Sequence, residues 1–182
     1  GGAHIVQILN ILEGYPITDY GHNSARTIHL MAEAMKRAYA DRSEYLGDTD
    51  FVDVPRGLIS QEYARQLAGK IDPKSATNVD KYGTPEDWET NLFDRHTTHI
   101  ATADAQGYWV GITATINTSF GSKVVVPCTG ILLNNEMDDF SSQPGAPNAF
   151  GLVGSENNSI APGKQPLSSM SPTIVLKDGK PI

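Results

Sequence analysis

The sequence predicts an α+β fold, with helices in its first half and strands in its second. Three observations carry this. Apolar residues recur at helical spacing as far as Ile71, and the pattern then dissolves from 72 to 96 into Pro, Lys, Ser, Thr, Asn, Asp and Gly. From Thr97 onward, β-branched and aromatic residues alternate in short runs broken by turn signals. The organisation is therefore a helical part over 1–96, closing in a connector, and a strand-rich part over 97–182. At 182 residues and 39% hydrophobic content the chain can bury one core, either as one domain or as a piece of one.

Ile5, Ile8, Leu9 and Leu12 define a first helix, which Gly14 and Pro16 stop. A second begins near Asn23 or Ser24, with Ile28, Met31, Met35, Ala38 and Tyr39 on one face. Its basic end, Lys36, Arg37 and Arg42, suits the helix dipole. Ser60 can cap a third helix bearing Tyr63, Ala64, Leu67 and Ile71. Within the connector, Thr84-Pro85-Glu86-Asp87 has the chemistry of a helix start, and Trp88 and Phe93 are its large aromatics. In the second half, 99–103 reads as a strand, Asp104-Ala105-Gln106-Gly107 as a turn and 108–117 as the hairpin partner. Period-two alternation puts Tyr108, Val110, Ile112, Ala114 and Ile116 on one face, and Thr115 with Asn117 on the other.

A net charge of −7, with 14 Lys and Arg in no basic run, gives no nucleic-acid footprint. No apolar run reaches membrane-spanning length. The single cysteine, Cys128, permits no internal disulfide, and His4, His22 and His29 lack partners at metal-ligand spacing, so no metal or other cofactor is expected.

The chemistry concentrates after the connector, in Asp94-Arg95-His96-Thr97-Thr98-His99. A threonine hydroxyl is a weak nucleophile. If Thr97 becomes an N-terminus, its own α-amine, with a pKa of about 7.7–8.0, can act as general base. Thr-Thr before a strand is otherwise ordinary β-propensity. Further on, an apolar run over 130–133 leads into Asn134-Asn135-Glu136-Met137-Asp138-Asp139. Such a run is either a solvated loop or, held at a strand end, a receptor for a substrate ammonium. Residues 141–153, rich in Pro, Gly, Ser and Asn, read as a flap. Pro166-Leu167-Ser168-Ser169-Met170-Ser171-Pro172 offers adjacent hydroxyls and backbone N–H groups suited to a carboxylate, or is a turn without a ligand.

Thr97-Thr98-His99, Thr115-Ile116-Asn117, residues 130–140 and residues 166–173 stand in the order and spacing of the γ-glutamyltransferases, also called γ-glutamyltranspeptidases. Residues 1–12 and 32–47 resemble the end of that family's large subunit, so the resemblance covers essentially the whole chain. It implies the αββα sandwich of the N-terminal nucleophile hydrolases, incomplete in this fragment. It also implies self-cleavage between His96 and Thr97 and an extracytoplasmic location, whether periplasmic, secreted or at the cell surface. The implied reaction transfers or hydrolyses the γ-glutamyl group of glutathione and related γ-glutamyl compounds, with an amino acid, dipeptide or water as acceptor. By the same resemblance Thr97 is the nucleophile and Thr115 the hydroxyl that assists it. Asn117, Glu136 and Asp139 hold the substrate's α-ammonium, and Ser168 and Ser169 its α-carboxylate.

This sequence departs from the family pattern in having His96 where some members have Gln, and Phe150 where some bacterial members place a flap Tyr. A strand over 173–176 and the turn Asp178-Gly179 stand at the end of the sequence, before the returning strand. The family's Gly-Gly oxyanion donors and substrate-carboxylate Arg are expected in the remaining parts of the large and small subunits. Two alternatives stay open: a related N-terminal-threonine acylase acting on glutaryl or polyglutamyl substrates, and a catalytically silent homologue.

Overall fold

The computed structural model describes residues 2–79, 95–148 and 150–182 of the chain. Helices α1 (Gly2–Glu13), α2 (Ile17–Tyr20), α3 (Ala25–Tyr45) and α4 (Gln61–Ala68) precede strands β1 (Arg95–Ala103), β2 (Trp109–Thr118), β3 (Leu176–Lys177) and β4 (Lys180–Pro181), so the fold mixes helix and sheet as expected. The readings of 84–87, Trp88 and Phe93 lie outside the described residues. Contacts group residues 2–79 with 139–167 in one unit, and 95–138 with 168–182 in another. The division expected at 96/97 is a different one, because it concerns the covalent processing that the family resemblance implies.

The first unit is organised on α3. The Ser24 hydroxyl accepts the Thr27 N–H at 3.2 Å, and Ser60 caps α4 by accepting that of Tyr63 at 3.2 Å, so the helix start near Ser24 and the Ser60 cap both hold. Ile11, Leu30, Ala34, Ala64, Leu67 and Ile71 form the buried core, with Ile8, Leu12 and Tyr63 packed against it. The face assigned to α3 needs correction. Ile28, Met31 and Met35 are exposed, whereas Thr27, Leu30, Glu33, Ala34, Arg37 and Ala38 are buried.

Hydropathy misled because the buried stripe carries an ion pair whose bonds are satisfied internally. Arg37 Nη1 donates to Glu33 Oε2 at 2.7 Å and Nη2 to the Lys70 carbonyl at 2.6 Å, while the Thr77 N–H reaches Glu33 Oε1 at 3.1 Å. Burial pushes the Glu33 carboxyl up, but hydrogen bonds from Lys36, Arg37 and Thr77 outweigh it and hold it down at about 2. The opening of the connector is thereby fastened to α3. Lys36 Nζ also donates to the Thr77 carbonyl at 2.7 Å, and a ring nitrogen of His29 lies 2.7 Å from that of Asp72.

A distant segment closes the other end of α3. The Ser155 N–H donates to the Ser43 carbonyl at 3.0 Å, and the Glu44 carbonyl accepts from Ser155 Oγ at 2.9 Å and Asn157 Nδ2 at 2.8 Å. These satisfy carbonyls that the helix leaves unpaired at its last turn. Gly47 is needed beside them, since a Cβ there would stand 2.1 Å from the Asn157 carbonyl oxygen.

In the second unit β1 and β2 pair antiparallel, with Thr97 opposite Thr115 and Ile100 opposite Ile112. The strand begins earlier than residue 99, because Arg95 already pairs with Thr118. Between Arg95 and Thr97 the register shifts: Ile116 and Asn117 on β2 span the interval that His96 alone spans on β1. Asn117 sits at φ 77°, a left-handed conformation that Asn tolerates better than most residues, and the bulge ends the simple alternation at Thr115.

The apolar run expected as a strand over 130–133 reaches only a single bridge, Leu132 to Val125, flanked by bonds from Leu133 N–H to the Val124 carbonyl and from Val126 N–H to that of Ile131. Asp178 and Gly179, at φ 52° and 74°, form the two-residue turn joining β3 to β4, so a short returning strand is present after all.

Candidate active site

Thr97 and Thr115 face each other across the hairpin, where directly opposite side chains come within reach. Thr97 Oγ1 donates to Thr115 Oγ1 at 3.3 Å, and the Thr115 oxygen also accepts the Asn117 N–H at 2.9 Å. A hydroxyl oxygen has two lone pairs, so these bonds orient Thr115 toward Thr97. In the uncut chain the Thr97 nitrogen is an amide within β1 and cannot take a proton. A base appears on this residue only when the bond from His96 is broken.

The bulge joins this pair to the acidic segment. Asn117 Nδ2 donates to the Asn135 carbonyl at 3.3 Å, and Asn135 N–H to the Ile116 carbonyl at 3.3 Å. Asn135 Oδ1 in turn accepts both the Thr118 N–H, at 3.1 Å, and the Thr118 hydroxyl, at 3.2 Å, while Asn135 Nδ2 reaches Asp138 at 2.8 Å. Glu136 follows directly, half-buried, its N–H bonded to Asn134 Oδ1 at 3.0 Å. Gly121 permits this close approach, for at φ 49° an added Cβ would lie 2.1 Å from the Leu133 carbonyl oxygen. Thr97, Thr115, Asn117 and the backbone carrying Glu136 thus belong to one bonded network within the second unit.

Asp139 falls in the first unit, at the end of the 3-10 turn Glu136–Asp139. Its carbonyl accepts Asn158 Nδ2 at 2.8 Å, and it shares a small hollow with Arg42, Ser141 and Asn158. Ser168 and Ser169 open the second stretch of the second unit, Ser168 half-buried and Ser169 exposed. Ser168 Oγ accepts the Met170 N–H at 3.1 Å, a local bond that fixes the turn. The stretch read as a flap carries turns of its own: Asn148 Oδ1 accepts the N–H groups of Phe150 and Leu152, each at 3.0 Å.

Sequence reasoning missed Asn135 and Asn158, whose side chains bond separated stretches of backbone. Asn135 adjoins the acidic run and was open to suspicion on that ground. Asn158, among turn residues, gave no signal.

The family model described as gamma-glutamyltranspeptidase matches residues 1–182. The glutathione hydrolase proenzyme of Escherichia coli (strain K12) is 52% identical over 183 residues, covering 99% of this chain and 31% of that protein. The acylase ACY 1 proenzyme of Pseudomonas sp. (strain SE83) is 40% identical over 183 residues, covering 98% of this chain and 29% of that protein. Among solved structures, the cephalosporin acylase from Bacillus halodurans matches all of this chain with 29% of its own, at 29% identity and a TM-score of 0.71. The chain spans about a third of the length of these curated relatives. With the family's own model matched from the first residue to the last, and half the positions shared with such a relative, this chain belongs to the γ-glutamyltranspeptidase family.

Proposed function

We propose that the protein to which this chain belongs cleaves γ-glutamyl amides such as glutathione through an ester on Thr97, passing the γ-glutamyl group to water, an amino acid or a dipeptide. The observation that carries the reading is the hydroxyl pair Thr97–Thr115, with Thr115 held in turn by the Asn117 N–H. In a first reaction the Thr97 oxygen adds to the His96 carbonyl, the amide bond gives way to an ester, and water releases the carboxylate of His96 and the free amine of Thr97. That amine then takes the Thr97 hydroxyl proton as the oxygen attacks the γ-carbonyl and hands a proton to the leaving amine. Water or an acceptor amine resolves the ester and restores the hydroxyl. Asn117, Glu136 and Asp139 would receive the substrate's α-ammonium, Ser168 and Ser169 its α-carboxylate.

The same reading makes residues 1–96 the end of a large subunit and 97–182 the start of a small one, with an extracytoplasmic location. It also includes two stacked sheets between helical layers. The likeness to the acylase structure and the open apolar face of the hairpin, Ile100, Val110 and Ile112, support that architecture. A second reading, an N-terminal-threonine acylase, is favoured by the similarity to proteins named acylases. Comparing γ-glutamyl anilide with glutaryl anilide separates the two, since only the first brings a positive charge to Glu136 and Asp139.

The test is intact-mass analysis of the protein at its relatives' length, purified with proteases inhibited. We expect a small product beginning at Thr97. Thr97→Ala should stay uncut and lose activity by a factor on the order of 10⁴ or more. Full activity from an uncut chain would remove the mechanism.

A further inference from the structure

We propose that Asn158 is a positioning residue that fixes the backbone of Asp139 and of Leu167, the residue before Ser168, and so serves recognition of the substrate's amino-acid end, a role that rests on the assignments of Asp139, Ser168 and Ser169 above. Asn158 is 7% exposed, and both heteroatoms of its carboxamide are used. Nδ2 donates to the Asp139 carbonyl at 2.8 Å, while Oδ1 accepts the Leu167 N–H at 3.0 Å. The first bond grips the backbone of the proposed ammonium ligand itself. The second grips the residue bonded directly to Ser168.

Asn158 is itself anchored. Its carbonyl accepts the Ser141 N–H at 2.9 Å and its N–H reaches the Ser155 carbonyl at 3.2 Å, and Ser155 is fixed to the last turn of α3 through Ser43 and Glu44. A line of bonds therefore runs from a helix end through Asn158 to both ends of the segment 139–167. The chemistry is specific. A carbonyl demands a donor and an N–H demands an acceptor, and a carboxamide of this length presents one of each. Aspartate offers only acceptors, and would set a carboxylate against the Asp139 carbonyl. Serine has a single oxygen, on a shorter side chain, for both partners.

A buried Asn that merely holds a loop would affect stability and little else. A positioning role should appear as substrate recognition lost with chemistry kept. The protein at its relatives' length is prepared as Asn158→Asp, as the milder Asn158→Ser, and as Leu67→Ala, which damages the helical core of the same unit. We expect Asn158→Asp to raise KM for γ-glutamyl anilide about tenfold while kcat changes less than about threefold. The preference for γ-glutamyl over glutaryl anilide should fall by a similar factor, with cleavage at Thr97 unimpaired. Leu67→Ala should lower Tm comparably and leave KM and the preference unchanged. If Asn158→Asp fails to fold, Asn158→Ser carries the same test with a smaller rise in KM. An unchanged KM in the folded Asn158 variants, or a rise no larger than in Leu67→Ala, overturns the proposal. A wild type that favours glutaryl anilide overturns the assignment beneath it instead, and shows this without any variant.

Discussion

The helical unit and the hairpin unit are stabilised in different ways. On one side of α3 the apolar side chains are inside, although Ile28, Met31 and Met35 stand exposed on the other: Ile11 and Ala34 have no exposed surface, and even the charged Glu33 is buried with Arg37. On the hairpin the apolar side chains are outside, Ile100 and Ile112 each about half exposed, while on β2 Thr113, Thr115 and Asn117 are half-buried. The first unit draws on burial, which contributes about 1.5–3 kcal/mol for each large aliphatic side chain. The second is held in register by its backbone ladder and by hydrogen bonds from Thr118 and Asn135. The difference suits the hydroxyl pair Thr97–Thr115, proposed above as nucleophile and assisting group, to the place where it sits. Directional bonds fix the position of a hydroxyl to within tenths of an ångström, which packing of an aliphatic face does not.

The largest effect that tests this contrast is a cavity in the helical core. Leu30→Ala should destabilise the first unit by about 2–5 kcal/mol, read from the denaturation midpoint, because Leu30 is 1% exposed and its neighbours are already packed. A cost below about 1 kcal/mol would mean that the helices lack the rigid core described.

Acid should weaken the same unit selectively. His4, pressed edge-on against Tyr39 at 5.3 Å, is lowered to about 4 by burial and by the charge of Arg42. A base whose folded pKa lies below its unfolded value contributes stability above the unfolded value, near 6.5, and that stability drains away as pH falls toward 4. Glu33, held at about 2 against an unfolded value of 4.5, contributes in full above 4.5 and loses its share between 4.5 and 2. Each step amounts to about 3 kcal/mol at most. Hydrogen exchange against pH should therefore show helical amides losing protection first below pH 6.5 and again below 4.5. His4→Phe should abolish the upper step alone. Hairpin amides that lost protection in the same two steps would contradict the assignment of these groups to one unit.

The two units were also unequally legible in the sequence. Caps and stops worked because they are local: Ser24 and Ser60 each bond an N–H three residues on. The β-turn residues worked for the same reason, Asp178-Gly179 meeting a geometric demand that few other pairs meet. What failed was non-local. The buried face of α3 could not be found from hydropathy, since it depends on Glu33 and Arg37 satisfying each other and on Lys70 and Thr77 arriving from elsewhere. The bulge at Ile116 and Asn117 breaks a two-residue period that the sequence itself does not break. The proposed site residues were found from a resemblance to a family, and the residue typing alone left each with an ordinary reading. Asn158 lay beyond both routes, because its partners stand 19 and 9 residues away in opposite directions.

The smallest expected effect tests the open side of the hairpin. Ile112→Thr keeps a β-branched side chain and so leaves strand propensity nearly unchanged, which isolates the contribution of the apolar face. Ile112 is 52% exposed and stands opposite Ile100, equally exposed. In the 182-residue chain the substitution should therefore shift stability by no more than about 0.5 kcal/mol. At the relatives' length the proposed second sheet would lie against this face, and the same substitution should then cost about 1–3 kcal/mol, as burial of a hydroxyl where a methylene had packed. Leu30→Ala, whose surroundings are complete in the first unit, should cost nearly the same at both lengths and serves as the reference. Protection of the hairpin amides against exchange reads the result directly. A small effect at both lengths would remove the stacked sheets and leave Ile100, Val110 and Ile112 facing solvent. A large effect already in the 182-residue chain would mean that this face is covered, and the contrast between the two units would fail.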